Sequence, residues 1–132
     1  MRPKSEVRSV LDASVVLVYL QREPGYERVR NALTQGAAIS AVNLAEVYGK
    51  VVERGLALED IAQRLLALGL GVAAFGEDDA RGSARLYPEA RRLGLSLGDR
   101  ACQALGVRLG LPVLTADRAW KRLAGLDVEL VR

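Results

Sequence analysis

A chain of 132 residues has the usual size of one domain, and with half of its residues hydrophobic it can bury a substantial core. The net charge of +3 is carried almost wholly by arginine, since lysine occurs only at Lys4, Lys50 and Lys121; this balance suits a polyanionic ligand without requiring one. Histidine is absent and Cys102 is the only cysteine, which excludes Ser-His-Asp and Cys-His catalysis, imidazole-held metals and an intramolecular disulfide.

The opening run MRPKSEVRSVLDASVVLVYL has a basic start and an apolar centre, as a signal peptide does. Asp12 interrupts that centre, however, and QREP follows where small residues should mark a cleavage site. A charge at the middle of an apolar span costs about 2.5–3.5 kcal/mol on insertion scales. The chain is therefore expected to be cytoplasmic, with no membrane association.

In chain order, RSVLD (8–12) predicts a buried strand ending in an acid. SVVLVYLQRE (14–23) predicts a helix with Ser14 as its N-cap and Pro24 beyond its end. A second helix over 25–36 stops at Gly36, and AAIS (37–40) is a short strand. The spacing of Val47 and Val51, and of Ala45, Tyr48 and Val52, predicts a helix over 42–55. Another helix over 58–69 carries the stripe Leu58, Ile61, Leu65 and Leu68. VAAF (72–75) reads as a strand, and 77–94 as a helix kinked at Pro88. A helix from Leu97 to Leu109 is closed by Gly110, with Cys102 on its buried side. PVLTAD (112–117) is a strand ending in Asp, RAWKRLAG a short helix, and LDVELV (126–131) a less buried strand. No N-G or D-G hairpin turn appears. Strands alternating with helices predict one domain spanning 1–132, a three-layer α/β/α fold around a mainly parallel sheet. GLGVAA (69–74) matches a dinucleotide fingerprint, but it ends a helix and opens a strand, the reverse of the required context. No G-x-x-x-x-G-K-[ST] loop is present either.

Sites in open parallel sheets form at the carboxyl ends of strands. Asp12 and Asp117 end two predicted strands and can meet if those strands are neighbours. The helix holding Asp99 runs antiparallel to the strand that follows it, so Asp99 starts on the same side of the sheet. Glu46, early in the helix after AAIS, lies near that edge too. Each acid has a plainer explanation: Asp99 as a helix cap, and Glu46 as half of an exposed pair with Lys50. Asp78 and Asp79, with Glu59 and Asp60, read as first-turn residues favoured by the helix dipole. Two carboxylates about 4 Å apart repel by about 4 kcal/mol at an effective dielectric of 20. A divalent cation with oxygen ligands removes that penalty, orients a phosphate and acidifies water. Thr115, two residues before Asp117, and Ser14, two after Asp12, add hydroxyls.

The order VLDAS, AVNLAEV, LSLGDRACQAL, VLTAD resembles the PIN-domain nucleases, and among them the VapC-type toxins of toxin–antitoxin pairs. The resemblance covers essentially the whole chain. It implies a five-stranded sheet and magnesium- or manganese-dependent endoribonuclease activity on single-stranded or loop RNA. It also implies a homodimer and a small antitoxin partner. By position it assigns Asp12, Glu46, Asp99 and Asp117 as metal-binding and catalytic acids, with Ser14 and Thr115 as accessory hydroxyls. Arg100, Arg118 and Arg122 flank the motifs and are candidates for RNA phosphates. An RNase H-like nuclease would begin with hairpins, and a receiver domain would carry an early acidic pair and a late strand-end lysine; neither is found. The rival from another class is a catalytically silent PIN-like scaffold that binds RNA or protein. The helix at VVLVYL (15–20), apolar on every face, is expected to be buried partly against a second subunit or an antitoxin segment.

Overall fold

In the computed structural model, which describes residues 6–132, five short parallel strands form one sheet in the order β3-β2-β1-β4-β5. These are β1 (Ser9–Leu11), β2 (Ala37–Ser40), β3 (Leu70–Ala73), β4 (Val113–Thr115) and β5 (Val128–Leu130). The basic residues at 1–5, part of the signal-like run, lie outside the described residues. No helix among the described residues is long and apolar enough to cross a membrane.

The sheet is covered on both faces at its centre, where β1, β2 and β4 are wholly buried, while the edge strands β3 and β5 are partly exposed. Side chains alternate along a strand. Leu11 and Leu114 therefore enter one core with Val15, Val29, Leu33 and Leu65, under α1 (Ala13–Leu20), α2 (Tyr26–Gln35), α3 (Ala41–Glu53) and α4 (Leu58–Ala67). Their neighbours Val10 and Val113 enter the opposite core with Cys102, Leu105 and Trp120, under α7 (Leu97–Leu109) and a 3-10 turn at Arg118–Arg122. The helices α5 (Glu77–Arg85) and α6 (Tyr87–Arg92) complete that layer beside α7. The expected three-layer arrangement is the one observed, with every strand pair parallel. Gly106 makes the contact between α7 and the sheet possible, since a Cβ there would stand 2.4 Å from Val113 Cγ1.

Several boundaries move from their expected places. Asp12, not Ser14, occupies the N-cap position of α1, and that helix ends at Leu20 rather than running on toward Pro24. The Ser14 hydroxyl is used elsewhere, as described below. The third strand begins at Leu70, two residues earlier than VAAF, because α4 terminates at Gly69 in a left-handed conformation (φ 103°) and the chain enters the sheet at once. The same fact disposes of the dinucleotide fingerprint. The helix expected over 77–94 is two helices broken at Leu86, with Pro88 in the first turn of the second, where a missing N–H is harmless. The stripe on α4 is confirmed: Ile61 and Leu65 are buried, with Leu58 and Leu68 packed around them.

Candidate active site at the carboxyl edge of the sheet

Strand order reverses at β1, which lies between β2 and β4. The carboxyl ends of β1 and β4 therefore open a crevice of the kind in which parallel sheets hold ligands. Asp12 follows β1 directly and is 5% exposed. Its Oδ2 accepts hydrogen bonds from Ser14 Oγ (2.7 Å) and from Thr115 Oγ1 (2.9 Å) across the strand pair. Each hydroxyl has a second use: Ser14 Oγ accepts from the Ala116 N–H (3.2 Å), and Thr115 Oγ1 from the Asp117 N–H (3.1 Å). The two strand ends are thus stitched together by the hydroxyls, with the Asp12 carboxylate at the join.

Burial, helped by the negative charge of Asp99 and opposed by the pull of the two hydroxyls, pushes the Asp12 carboxyl up to about 6. Among the described residues no cationic side chain pairs with it. Buried carboxylates are normally paired or coordinate a cation, so Asp12 is the anomaly of this edge.

Asp99 and Glu46 stand around the same point. Burial raises the Cys102 thiol well above its ordinary value, and the charges of Asp12, Asp99 and Glu46 all add to the shift. The thiol is wholly buried, as expected. Asp99 closes a capping box at the start of α7. Its Oδ2 accepts from the Ser96 N–H (2.9 Å), and its own N–H donates to Ser96 Oγ (3.1 Å). Capping is therefore a real role of Asp99, and one that coexists with its place beside Asp12.

Glu46 does not pair with Lys50, which reaches Glu53 instead (3.4 Å). Its Oε1 accepts from Asn43 Nδ2 (3.1 Å), and the same amide nitrogen donates to the Gly98 carbonyl (2.8 Å), joining α3 to α7. The Glu46 carboxylate lies so close to Gly98 that a Cβ there would meet Oε2 at 2.5 Å. Asn43 and Gly98 were not among the expected site residues. The available signal was an amide side chain three residues before Glu46 on an otherwise apolar helix face. Its partner is 55 positions away and invisible to local reading.

Asp117 is exposed, and its Oδ1 caps the 3-10 turn by accepting from the Ala119 N–H (2.9 Å). It joins the site through Thr115. Arg118 and Arg122 are exposed on that turn. Arg100 is placed differently: it donates to the Ser83 carbonyl (3.1 Å), and its guanidinium lies 5.1 Å over the Tyr87 ring.

The acids are gathered on one edge without converging. Among the described residues no three acidic or thiol side chains come close enough together to hold a metal ion. Asp99, Glu46 and Asp117 each turn to a neutral donor of their own, the low-energy choice for like charges crowded together. Chemically the donor set fits a hard divalent cation: every ligating atom at this edge is oxygen, and Asp12 is a buried carboxylate without a counter-charge.

The fold and this edge define a class, an α/β domain with acids at the switch point of a parallel sheet. The model of the PIN domain family matches residues 9–126, and the chain belongs to that family. Solved structures of the same fold include a toxin–antitoxin complex from Klebsiella pneumoniae (TM-score 0.76, 18% identity, 94% of this chain and 98% of that one). Others are DNA-bound VapBC from Salmonella typhimurium (0.74, 18%, 96% and 99%) and FitAcB from Neisseria gonorrhoeae (0.71, 22%, 91% and 95%). At such identities the likeness is one of fold. A search of curated proteins finds no match by sequence.

Proposed function

We propose that this chain is a magnesium- or manganese-dependent endoribonuclease, and that it serves as the toxin of a toxin–antitoxin pair. The observation that carries the reading is Asp12: a buried carboxylate with a raised pKa and no cationic partner, at the switch point, with Asp99 and Glu46 beside it. Asp12, Glu46, Asp99 and Asp117 would hold the cation. When bound, it would neutralise their charge and that developing on the phosphate, and would acidify a water. The chain's own part is positional. Ser14 and Thr115 fix Asp12, Asn43 fixes Glu46 against Gly98, and Ser96 fixes Asp99. Arg118 and Arg122, exposed beside Asp117, would take backbone phosphates.

The toxin reading draws on membership of the PIN family and on fold neighbours described as toxin–antitoxin complexes. A homodimer, a small antitoxin partner and a cytoplasmic location follow from it. So does burial of part of α1, whose outward residues Leu17, Tyr19 and Leu20 are apolar and only half-buried. One observation favours the alternative, a catalytically silent scaffold: the lack of three converged ligands among the described residues. Cleavage of single-stranded RNA by purified chain separates the two. The nuclease reading expects cleavage that stops in EDTA and returns with magnesium or manganese. Undiminished cleavage in EDTA, with metal removal verified, refutes the metal mechanism, and no cleavage with either metal favours the scaffold.

A further inference from the structure

The acidic edge leaves α6 without a role, yet α6 carries the densest run of positive charge outside it. We propose that Tyr87, Arg91 and Arg92 form a platform on which single-stranded RNA lies before it enters the active site. This rests on the nuclease reading and adds to it the course of the substrate strand.

Tyr87 is a large aromatic side chain left 50% exposed. Arg100, the residue after Asp99, holds its guanidinium 5.1 Å over the ring and is itself anchored on the Ser83 carbonyl. The ring is therefore tied from one side to the active-site helix α7 while half of the residue stays open to solvent. With Pro88, Arg91 and Arg92 it lines an open depression of about 700 Å³.

Arg91 and Arg92 are exposed and pair with no acid among the described residues. The one acid of α6, Glu89, accepts from the Ala124 N–H (3.2 Å) instead. That contact ties α6 to the residues just after the turn carrying Arg118 and Arg122.

Guanidinium forks match phosphate, and an open aromatic face is where an unpaired base stacks. An acidic peptide would use the arginines but has no need of the ring. The ring is what favours RNA.

The test is fluorescence anisotropy of the full chain with a labelled, unstructured 12-nucleotide RNA in EDTA, where binding is read without cleavage. Tyr87→Leu should weaken binding about tenfold, as loss of a base stack does, while Tyr87→Phe should bind like wild type. Arg91→Gln with Arg92→Gln should weaken binding and flatten the slope of log Kd against log salt by about one unit. That pair is exposed and away from both cores, so it keeps the test valid should Tyr87→Leu disturb the fold.

Wild-type affinity in Tyr87→Leu, an unchanged salt slope in the arginine pair, or no binding of this RNA by wild type would each overturn the platform. Loss of a polyglutamate ligand alone would overturn it too, by assigning the patch to an acidic protein segment. A chain that binds as described yet cleaves nothing would refute the nuclease and leave the platform standing. Variants that bind normally while wild type cleaves would refute the platform alone.

Discussion

Two aspartates in this chain are equally hidden from water, each at the start of a helix, and differ in the charge that faces them. Asp12 and Asp79 are both 5% exposed. Asp79, at the third position of α5, accepts from the Gly76 N–H (3.2 Å) and from Arg108 through both oxygens (2.8 and 3.3 Å). The guanidinium answers its charge inside the protein. Asp12 has two hydroxyls, and the charge that bears on it is another carboxylate. Burial alone therefore does not mark a functional acid. The sign of the neighbouring charge does, because a protein that buries like charges together is less stable for it unless something else binds there.

Catalysis should separate the two aspartates most widely. Asp12→Asn and Asp99→Asn should each lower RNA cleavage by a factor of about a thousand or more, the scale expected when a group stabilising transition-state charge is lost. Asn caps a helix about as well as Asp, so Asp99→Asn should keep its fold. Asp79→Asn should leave cleavage within a few-fold. Initial rates on one RNA substrate check all three, and comparable losses in Asp79→Asn would erase the distinction.

Stability should move in opposite directions. Arg108→Ala leaves Asp79 buried and unpaired. The loss should be about 2–3 kcal/mol, below the 3–5 typical of a fully buried pair because Arg108 is a third exposed and the Gly76 bond remains. Asp12→Asn should instead stabilise the metal-free protein by about 1–3 kcal/mol near neutral pH, since a carboxyl raised to about 6 corresponds to at most about 3 kcal/mol. Urea unfolding in EDTA measures both.

The sign has a pH signature. A carboxyl with a raised folded-state pKa holds its proton while the unfolded chain gives it up, so wild type loses stability as pH rises from about 4 to about 6. The advantage of Asp12→Asn should open across that window and stay constant above it. An advantage already complete at pH 4 would assign it to packing.

A smaller effect tests the geometry. Gly98→Ala puts a methyl where the Glu46 carboxylate lies, and a flexible side chain can move away cheaply. Alanine also favours the helix by about 1 kcal/mol. Cleavage should fall about tenfold while the melting temperature holds or rises, since a ligand displaced by about 1 Å costs rate rather than fold. Full activity in this variant would remove Glu46 from the site.

Much of this was legible in the sequence, for reasons that can be named. The strand Ala37–Ser40 and the helix Leu97–Leu109 fall where local chemistry puts them, between Gly36 and the Ser40 cap and between the Ser96 cap and Gly110. The edge that gathers Asp12 and Asp99 follows from strand and helix direction alone. What stayed hidden depends on partners far along the chain. Ser14 has the chemistry of a cap, but it is drawn to Asp12 and to Ala116, 102 positions on. Arg100 reads as a free cation until the α5–α6 break brings Ser83 and Tyr87 under it. Arg108 gives no sign of belonging to Asp79, 29 residues earlier. Local pattern reports an element and its ends; which charge answers which is settled by the fold.

If the charge at Asp12 is held for a divalent cation, magnesium should protect the fold through that residue, which melting curves read. Wild type and Asp79→Asn should gain melting temperature alike as magnesium is raised from EDTA-treated protein, because binding stabilises only a folded state that can bind. Asp12→Asn should start higher than wild type and respond little. An Asp12→Asn protein that gains as much from magnesium as wild type would mean that Asp12 holds no cation.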